Sequence, residues 1–393
     1  MSGTFRRVVV TGGAGFLGSL ACRMLLEQGT EVVCVDNLLT GTGGSLPDGS
    51  LPDGSLRSRG LPADGLRSGG LPGGTGLADM GPGGAGLDFR CQDVTEPFDV
   101  DGPVDLVLHL ASPASPADYH QYPLRTLEAG SAGTRNALRL AERKGARFVL
   151  ASTSEVYGDP QTSPQREYYP GNVDPVGPRS AYDEAKRYAE ALTAACGRAG
   201  HVDTAIARIF NSYGPGMRPD DGRMVPTFAC QALRGEPVTV TGDGTQTRSL
   251  CYATDTVRGL LLLAASDLRG PVNIGNPDET SVGEIAARII ALAGSSSTIR
   301  YVPRPPGDPR TRKPDITLAR AELGFEPLVG WREGLRETLG WFRDVIGVDV
   351  PRAPGTGSPA RAGEARGPVR AGEAGGLPRA GAPAGSRAPE GSW

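Results

Sequence analysis

Tyr182 and Lys186 stand four residues apart, with Asp183, Glu184 and Ala185 between them. That spacing puts both side chains on one face of a helix. A phenol titrates near pH 10, and work as a base near neutrality needs a shift of about three units, roughly 4 kcal/mol. A buried neighbouring ammonium is the simplest source, because a nearby positive charge favours phenolate. Upstream, Ser152-Thr153-Ser154-Glu155-Val156-Tyr157-Gly158 reads as a strand end presenting a hydroxyl and a carboxyl to the same cavity. Alone, Tyr-x-x-x-Lys is also an ordinary helix pair. The elements that must position it decide its meaning.

Residues 7–10 read as a short β-branched strand, followed by Thr11-Gly12-Gly13-Ala14-Gly15-Phe16-Leu17-Gly18. A helical pattern over 19–28, an apolar strand over 31–35 and then Asp36 complete a strand, glycine loop, helix, strand and acid. In such a unit the glycines allow a tight turn, close approach to a pyrophosphate and helix packing on the sheet, and the helix N-terminus faces the anion. This context turns a weak glycine motif into a dinucleotide site. Asp36 is placed to bind the ribose hydroxyls and repel a 2′-phosphate, which favours NAD. Further strands are expected over 87–92, 104–110, 147–151 and 204–209, with helical patterns over 123–144. Asp93 is expected at the adenine edge. Alternation of this kind predicts an α/β fold with a doubly wound parallel (Rossmann) sheet, binding ligands at its carboxyl edge. Residues 1–225 are assigned mainly to that domain and 226–348 mainly to a smaller α/β substrate-binding lobe, with segments exchanged between them.

Composition narrows the remaining choices. The chain has 393 residues and a net charge of −3, unlike a general nucleic-acid binder. Only Lys144, Lys186 and Lys313 are lysines among 41 basic residues, so Lys186 stands out from the arginine background. Six cysteines without a CxxC pair read as reduced thiols, and three dispersed histidines give no metal site. Residues 1–7 read as neither leader nor anchor, and no run of eighteen apolar residues exists. A soluble cytoplasmic protein is expected. Within 41–86, leucines recur every fifth residue (Leu46, Leu51, Leu56, Leu61, Leu66, Leu71), a period of neither helix nor strand. This segment reads as an expanded loop whose deletion is expected to leave activity intact. Residues 349–393, rich in Pro, Gly, Ala and Arg, read as a disordered tail.

Four segments carry a more specific resemblance. They are Leu110-Ala-Ser-Pro-Ala-Ser-Pro116, Ser152-Thr-Ser-Glu-Val-Tyr-Gly-Asp159, Gly177-Pro-Arg-Ser-Ala-Tyr-Asp-Glu184 and Arg312-Lys313-Pro314-Asp315. With the glycine loop they make the chain, from about residue 7 to 344, similar to extended short-chain dehydrogenases that act on nucleotide sugars, and to their UDP-glucuronate decarboxylase branch. Pro170, Asp174 and Ala181 depart from that pattern.

The resemblance implies oxidation at the sugar C4, loss of carbon dioxide and re-reduction to UDP-xylose, with NAD as a bound cofactor. It makes Tyr182 the base, Lys186 its electrostatic partner and Thr153 a hydrogen-bond partner of the same oxygen. Ser154 stands where the related 4,6-dehydratases carry an Asp. A serine cannot protonate a departing hydroxyl, which favours decarboxylation. Glu155 is expected to handle a proton or water near C5, with Arg312 as the cation between it and the substrate carboxylate. Cofactor contacts fall on Gly12, Gly15, Phe16, Leu17, Asp36, Asn37, Thr40, Asp93, Leu110 and Ala111, beside Tyr182 and Lys186. Substrate contacts fall on Pro113, Tyr119, Arg179, Asn211, Arg223 and Arg248, with Arg248 the strongest diphosphate candidate. A homodimer follows from the family, with no membrane or nucleic-acid partner and no metal. The alternatives are release of the 4-keto pentose with NADH, 4-epimerisation, 4,6-dehydration, or a nucleotide-sugar-binding scaffold without activity.

Overall fold

The structure, a computed structural model, describes residues 5–41, 46, 86–305 and 307–347. The run Arg7-Val-Val-Val-Thr has no helix-favouring residue after Arg7 and forms strand β1 (Arg7–Thr11), with Val8, Val9 and Val10 fully buried. It is followed by α1 (Phe16–Glu27), β2 (Glu31–Asp36), β3 (Leu87–Cys91), β4 (Leu106–His109), α2 (Pro116–Gln121), α3 (Pro123–Glu128), α4 (Thr134–Lys144) and β5 (Arg147–Thr153). Next come α5 (Ser180–Arg198), β6 (Thr204–Ile209), β7 (Ser212–Tyr213), α6 (Met224–Leu233), β8 (Val238–Thr241), β9 (Thr247–Ser249) and β10 (Cys251–Tyr252). The chain then forms α7 (Ala253–Ala264), β11 (Gly270–Ile274), β12 (Glu279–Ser281), α8 (Val282–Ala293), β13 (Ile299–Val302), α9 (Thr317–Leu323) and α10 (Trp331–Ile346).

Among the described residues, seven strands make one parallel sheet in the order β11-β6-β5-β4-β1-β2-β3. This is the expected doubly wound sheet. The order reverses between β1 and β4, and ligands of such sheets sit in the crevice outside that switch point. Alternation along β1 feeds two cores. Val8 and Val10 pack with Ala21, Cys22 and Leu25 of α1 and with Val257 and Leu260 of α7. Val9 faces the opposite layer, with Leu138 and Leu140 of α4 and Phe148 of β5. A third core, away from the sheet, joins α6, α8 and α10 around Val238 and Val240 of β8. β11 and α7 thus belong to the main sheet and its core although they follow residue 226 in sequence.

One close approach fixes the helix that carries Tyr182. Residues Ala129–Gly133 form a π-helical turn between α3 and α4, a device frequent at functional sites. A Cβ on Gly130 would lie 2.6 Å from the Ala185 carbonyl oxygen. Only a missing side chain lets this turn press against α5 at Ala185, next to Lys186.

Leu46 is buried in the α1-side core, so the first leucine of the five-residue repeat packs inside the fold. The rest of the 41–86 expectation, Gly41 and Gly86 apart, and the 349–393 expectation lie outside the described residues.

Candidate active site

The cavity opens along the carboxyl ends of β1, β4 and β5. Gly12 has φ +71°, and a Cβ there would come within 2.7 Å of Ala111 backbone atoms. Only glycine passes the end of β4 in this way. At Gly18 a Cβ would meet the Gly12 carbonyl oxygen at 2.1 Å, so α1 starts directly on the loop. Gly15 caps α1 with extended backbone and no side-chain acceptor. The first-turn amides are therefore left for an anion. Asp36 anchors this end, its Oδ2 accepting from Ala14 N at 3.0 Å and its Oδ1 from Leu38 N at 2.7 Å. These features fit NAD, a dinucleotide with a pyrophosphate and an adenosine ribose.

All the expected cofactor residues line this cavity: Gly12, Gly15, Phe16, Leu17, Asp36, Asn37, Thr40, Asp93, Leu110, Ala111, Tyr182 and Lys186. Asp93 is fixed there by Thr95 and by Asn37, whose Nδ2 donates to it at 3.0 Å. Thr153, Glu155, Pro113, Tyr119, Arg179, Asn211 and Arg223 also lie on the wall.

The acid–base geometry departs from the expectation at one point. Lys186 Nζ donates to the Ala151 carbonyl oxygen at 2.9 Å and lies 6.0 Å from the Tyr182 ring centroid. Burial pushes the Tyr182 phenol up to about 12, against a hydrogen bond with Thr153 and the charge of Arg223. Burial likewise brings Lys186 down to about 8, which the Glu190 carboxylate opposes. The protein's own groups thus leave Tyr182 a neutral phenol near neutrality, burial being the first cause.

Glu155 is the opposite case. Burial works against its ionisation, yet the charges of Arg312, Arg179 and Arg248 hold it down to about 2. Arg312 Nη2 reaches Glu155 Oε2 at 2.9 Å, Arg179 Nη2 reaches the same oxygen at 2.5 Å, and Arg312 Nη1 donates to Gly158 O at 2.7 Å.

Three expected site residues are off the cavity wall. Arg312 is only 1% exposed, spent on Glu155 and Gly158, so of the two arginines bonded to Glu155 it is Arg179 that faces the cavity. Arg248 pairs with Asp308 at 3.0 Å and donates to Thr247 O, so it stands behind Glu155. Ser154 is buried inside the short 3-10 turn Ser154–Tyr157, which puts Thr153 and Glu155 on the wall and leaves Ser154 off it. Pro170, Asp174 and Ala181 are also off the wall, so the departures from the family pattern do not shape it.

Tyr119 and Asn211, both expected at the substrate, carry further features, whereas Glu190, Asp183 and His109 were not singled out from the sequence. The Tyr119 ring stacks on Tyr182, with centroids 5.2 Å apart and planes 10° apart. Its hydroxyl is buried without a partner, as is Asn211 Nδ2. Asn211 holds φ +25°, a strained value for a non-glycine residue. Both orphaned atoms belong to wall residues and suit a polyhydroxylated ligand. Beneath the wall, Glu190 accepts from Ser152 Oγ at 2.6 Å and from Arg208 Nη2 at 2.7 Å. Glu190 is one turn beyond Lys186, so the helical spacing that exposed Tyr182 and Lys186 could have found it too. Asp183, buried beside Glu155 and Arg179, has its carboxyl pushed up to about 7 by burial first and by Glu155 second. His109 is held neutral at about 3, first by burial and then by the Lys186 charge, between Thr11 at 2.7 Å and Thr134 at 3.2 Å.

Comparison with known proteins agrees with this geometry. The profile of the NAD dependent epimerase/dehydratase family matches residues 8–275. The chain is 43% identical to UDP-glucuronic acid decarboxylase 1 of Xenopus tropicalis over 338 residues, 86% of this chain and 72% of the relative. It is 44% identical to UDP-glucuronic acid decarboxylase 6 of Arabidopsis thaliana over 343 residues, 87% of this chain and 90% of the relative. Among solved structures it is similar to the UDP-glucose 4-epimerase of Thermotoga maritima with UDP-glucose, at TM-score 0.71 and 27% identity over 86% of this chain and 99% of that one. The chain belongs to the NAD dependent epimerase/dehydratase family.

Proposed function

We propose that this family member is an enzyme that decarboxylates UDP-glucuronate to UDP-xylose through a 4-keto intermediate. The observation that carries the reading is the state of Glu155. Two arginines hold it as a carboxylate with a pKa of about 2, close enough to Tyr182 to raise the phenol pKa. A group so acidic does not donate a proton near neutrality. Dehydration needs such a donor for the leaving hydroxyl, and Asp183, whose carboxyl burial pushes up to about 7, is off the wall, whereas carbon dioxide leaves unprotonated. Ser154, the neighbour of Glu155, supplies no such donor either.

NAD, when bound, accepts hydride from the sugar C4 and returns it. The amides of Phe16 and Leu17, with Gly12 and Gly15, would hold its pyrophosphate, and Asp36 its ribose. With the positive nicotinamide charge of bound NAD added to that of Lys186, the Tyr182 phenol would ionise and take the 4-hydroxyl proton, and Thr153 hydrogen-bonds the same oxygen. Lys186 keeps positive charge beside the phenol. Its own pKa of about 8 leaves it mostly protonated at neutral pH. Arg179, already on Glu155 and on the wall, receives the substrate carboxylate. A ketone β to that carboxylate stabilises the electrons left behind as an enolate, and a proton delivered to C5 from a water that the Glu155 carboxylate positions precedes re-reduction. Asn211 and Arg223 take nucleotide contacts.

The reading extends to assembly and place. Leu124 and Leu127 of α3 and Tyr188 of α5 are exposed at 68%, 39% and 46% on adjacent helices, an apolar face that suits a homodimer. All six cysteines are free, four of them buried, which suits the reducing cytoplasm. Among the described residues no helix is long and apolar enough to cross a membrane.

The test is mass spectrometry of the product from UDP-glucuronate and catalytic NAD, beside Tyr182→Phe. A UDP-pentose lighter by carbon dioxide, absent with the variant, supports the full cycle. A product two hydrogens lighter still, formed one-for-one with NADH, replaces it with ketopentose release. Unchanged mass refutes decarboxylation and leaves epimerisation or a silent binder.

A further inference from the structure

Away from the reacting phenol, three distant segments meet on the cavity wall. Arg218, between β7 and α6, donates through Nη1 to the Thr40 carbonyl oxygen at 2.6 Å and through Nη2 to Asp118 Oδ1 at 2.7 Å. Its Nε lies 3.3 Å from Asp220 Oδ1. Thr40 follows β2, and the next residue, Gly41, lies on the glycine loop: a Cβ there would be 3.0 Å from the Ala14 carbonyl carbon and oxygen. Asp118 is in the first turn of α2, where Ser115 caps its amide at 3.1 Å. A Cβ on Gly222 would meet the Ala117 side chain at 3.3 Å, so the Arg218 loop reaches α2 at a second point. Thr40, Asp118 and Arg218 all line the same cavity as the glycine loop.

One guanidinium therefore fastens the segment covering the dinucleotide loop to a helix after β4 and to a loop entering the second lobe. Arginine suits this task because its planar fork serves a carboxylate and a carbonyl at once. We propose that Arg218 is a cofactor-retention residue: its clasp on Thr40 and Asp118 must open before NAD can leave. On the reading above, the hydride removed at C4 returns to the same sugar, so NAD has no need to exchange between turnovers. Slow release then costs nothing in rate and keeps the reduced cofactor with its intermediate.

The test reads retention, not turnover. Full-length protein is loaded with isotopically labelled NAD, and loss of label into excess unlabelled NAD is followed without UDP-glucuronate. Arg218→Ala is expected to release NAD at least tenfold faster than the parent, with Arg218→Lys and Asp118→Asn between the two. Unchanged release in Arg218→Ala overturns the proposal. So does faster release accompanied by an equal loss of thermal stability in the NAD-free protein, which makes the contact a fold contact only. Because no sugar is present, the result is independent of whether the decarboxylation reading stands.

Discussion

At the glycine-loop end of the cavity, charge is met by backbone: the uncapped first turn of α1, glycines that admit close approach, and Asp36 tying the loop to β2. At the Glu155 end it is met by side chains from four separate places, Glu155, Arg179, Arg248 and Arg312, with Asp308 behind them. The first arrangement is compact in sequence and exact in spacing, and leaves no room for added side chains at Gly12 or Gly18. The second draws on residues up to 157 positions apart and depends on mutual neutralisation in a dry interior, where an unmatched charge costs several kcal/mol. One end is specified by what is left out, the other by what is put in.

The sharpest way to break that contrast is Gly18→Ala. Its Cβ would collide with the Gly12 carbonyl oxygen at 2.1 Å, and backbone cannot swing aside. NAD bound by the purified variant is expected to fall on the order of a hundredfold in affinity, the scale of a small misplacement at a reacting site. Isothermal titration with NAD measures it, and near-normal affinity would show that this end tolerates side chains after all. At the other end, Arg312→Ala leaves Glu155 with one close partner and Gly158 without its donor. A loss of about 3 kcal/mol on chemical denaturation is expected, the lower range for breaking a buried pair. A variant as stable as the parent would mean that Arg179 suffices.

Glu190→Gln tests the layer beneath both ends. Lys186 is depressed to about 8 and would be lower without Glu190. Activity that needs the ammonium is present below that value and is lost as pH rises through it. Removing Glu190 therefore moves the alkaline limb of kcat to lower pH. A fall in rate with an unmoved limb would assign Glu190 to Ser152 and Arg208 alone. The smallest effect is expected from deleting residues 51–81. Leu46 is buried, so the cut spares it, and activity should stay within about twofold, the ordinary scatter of changes remote from a site. A larger loss would give the leucine repeat a part in the enzyme.

The same contrast explains what the sequence made legible. The glycine loop, Asp36, Thr153, Tyr182 and Lys186 were readable because each lies at a fixed offset on a local element. Arg312 was associated with Glu155 and Arg248 with a diphosphate, both as ligand contacts, because sequence does not distinguish a guanidinium facing a cavity from one spent on a buried carboxylate. Ser154 was misplaced because the chain passes at that residue from the strand end at Thr153 into a buried 3-10 turn. The phenol's acidity was overestimated because spacing gives direction and not the cost of burial. Arg218 carried no signal at all, since Thr40 and Asp118 lie 178 and 100 residues from it.

The return of the chain to its first sheet has a consequence for inheritance and engineering. β11 completes the sheet beside β6, and α7 seals the α1 face, yet both are encoded after α6 and β8 of the other lobe. A fragment ending near residue 225 would bare the β6 edge and the apolar face that α7 covers. The second lobe therefore cannot be exchanged by a single crossover, because its gene segment is interleaved with that of the sheet.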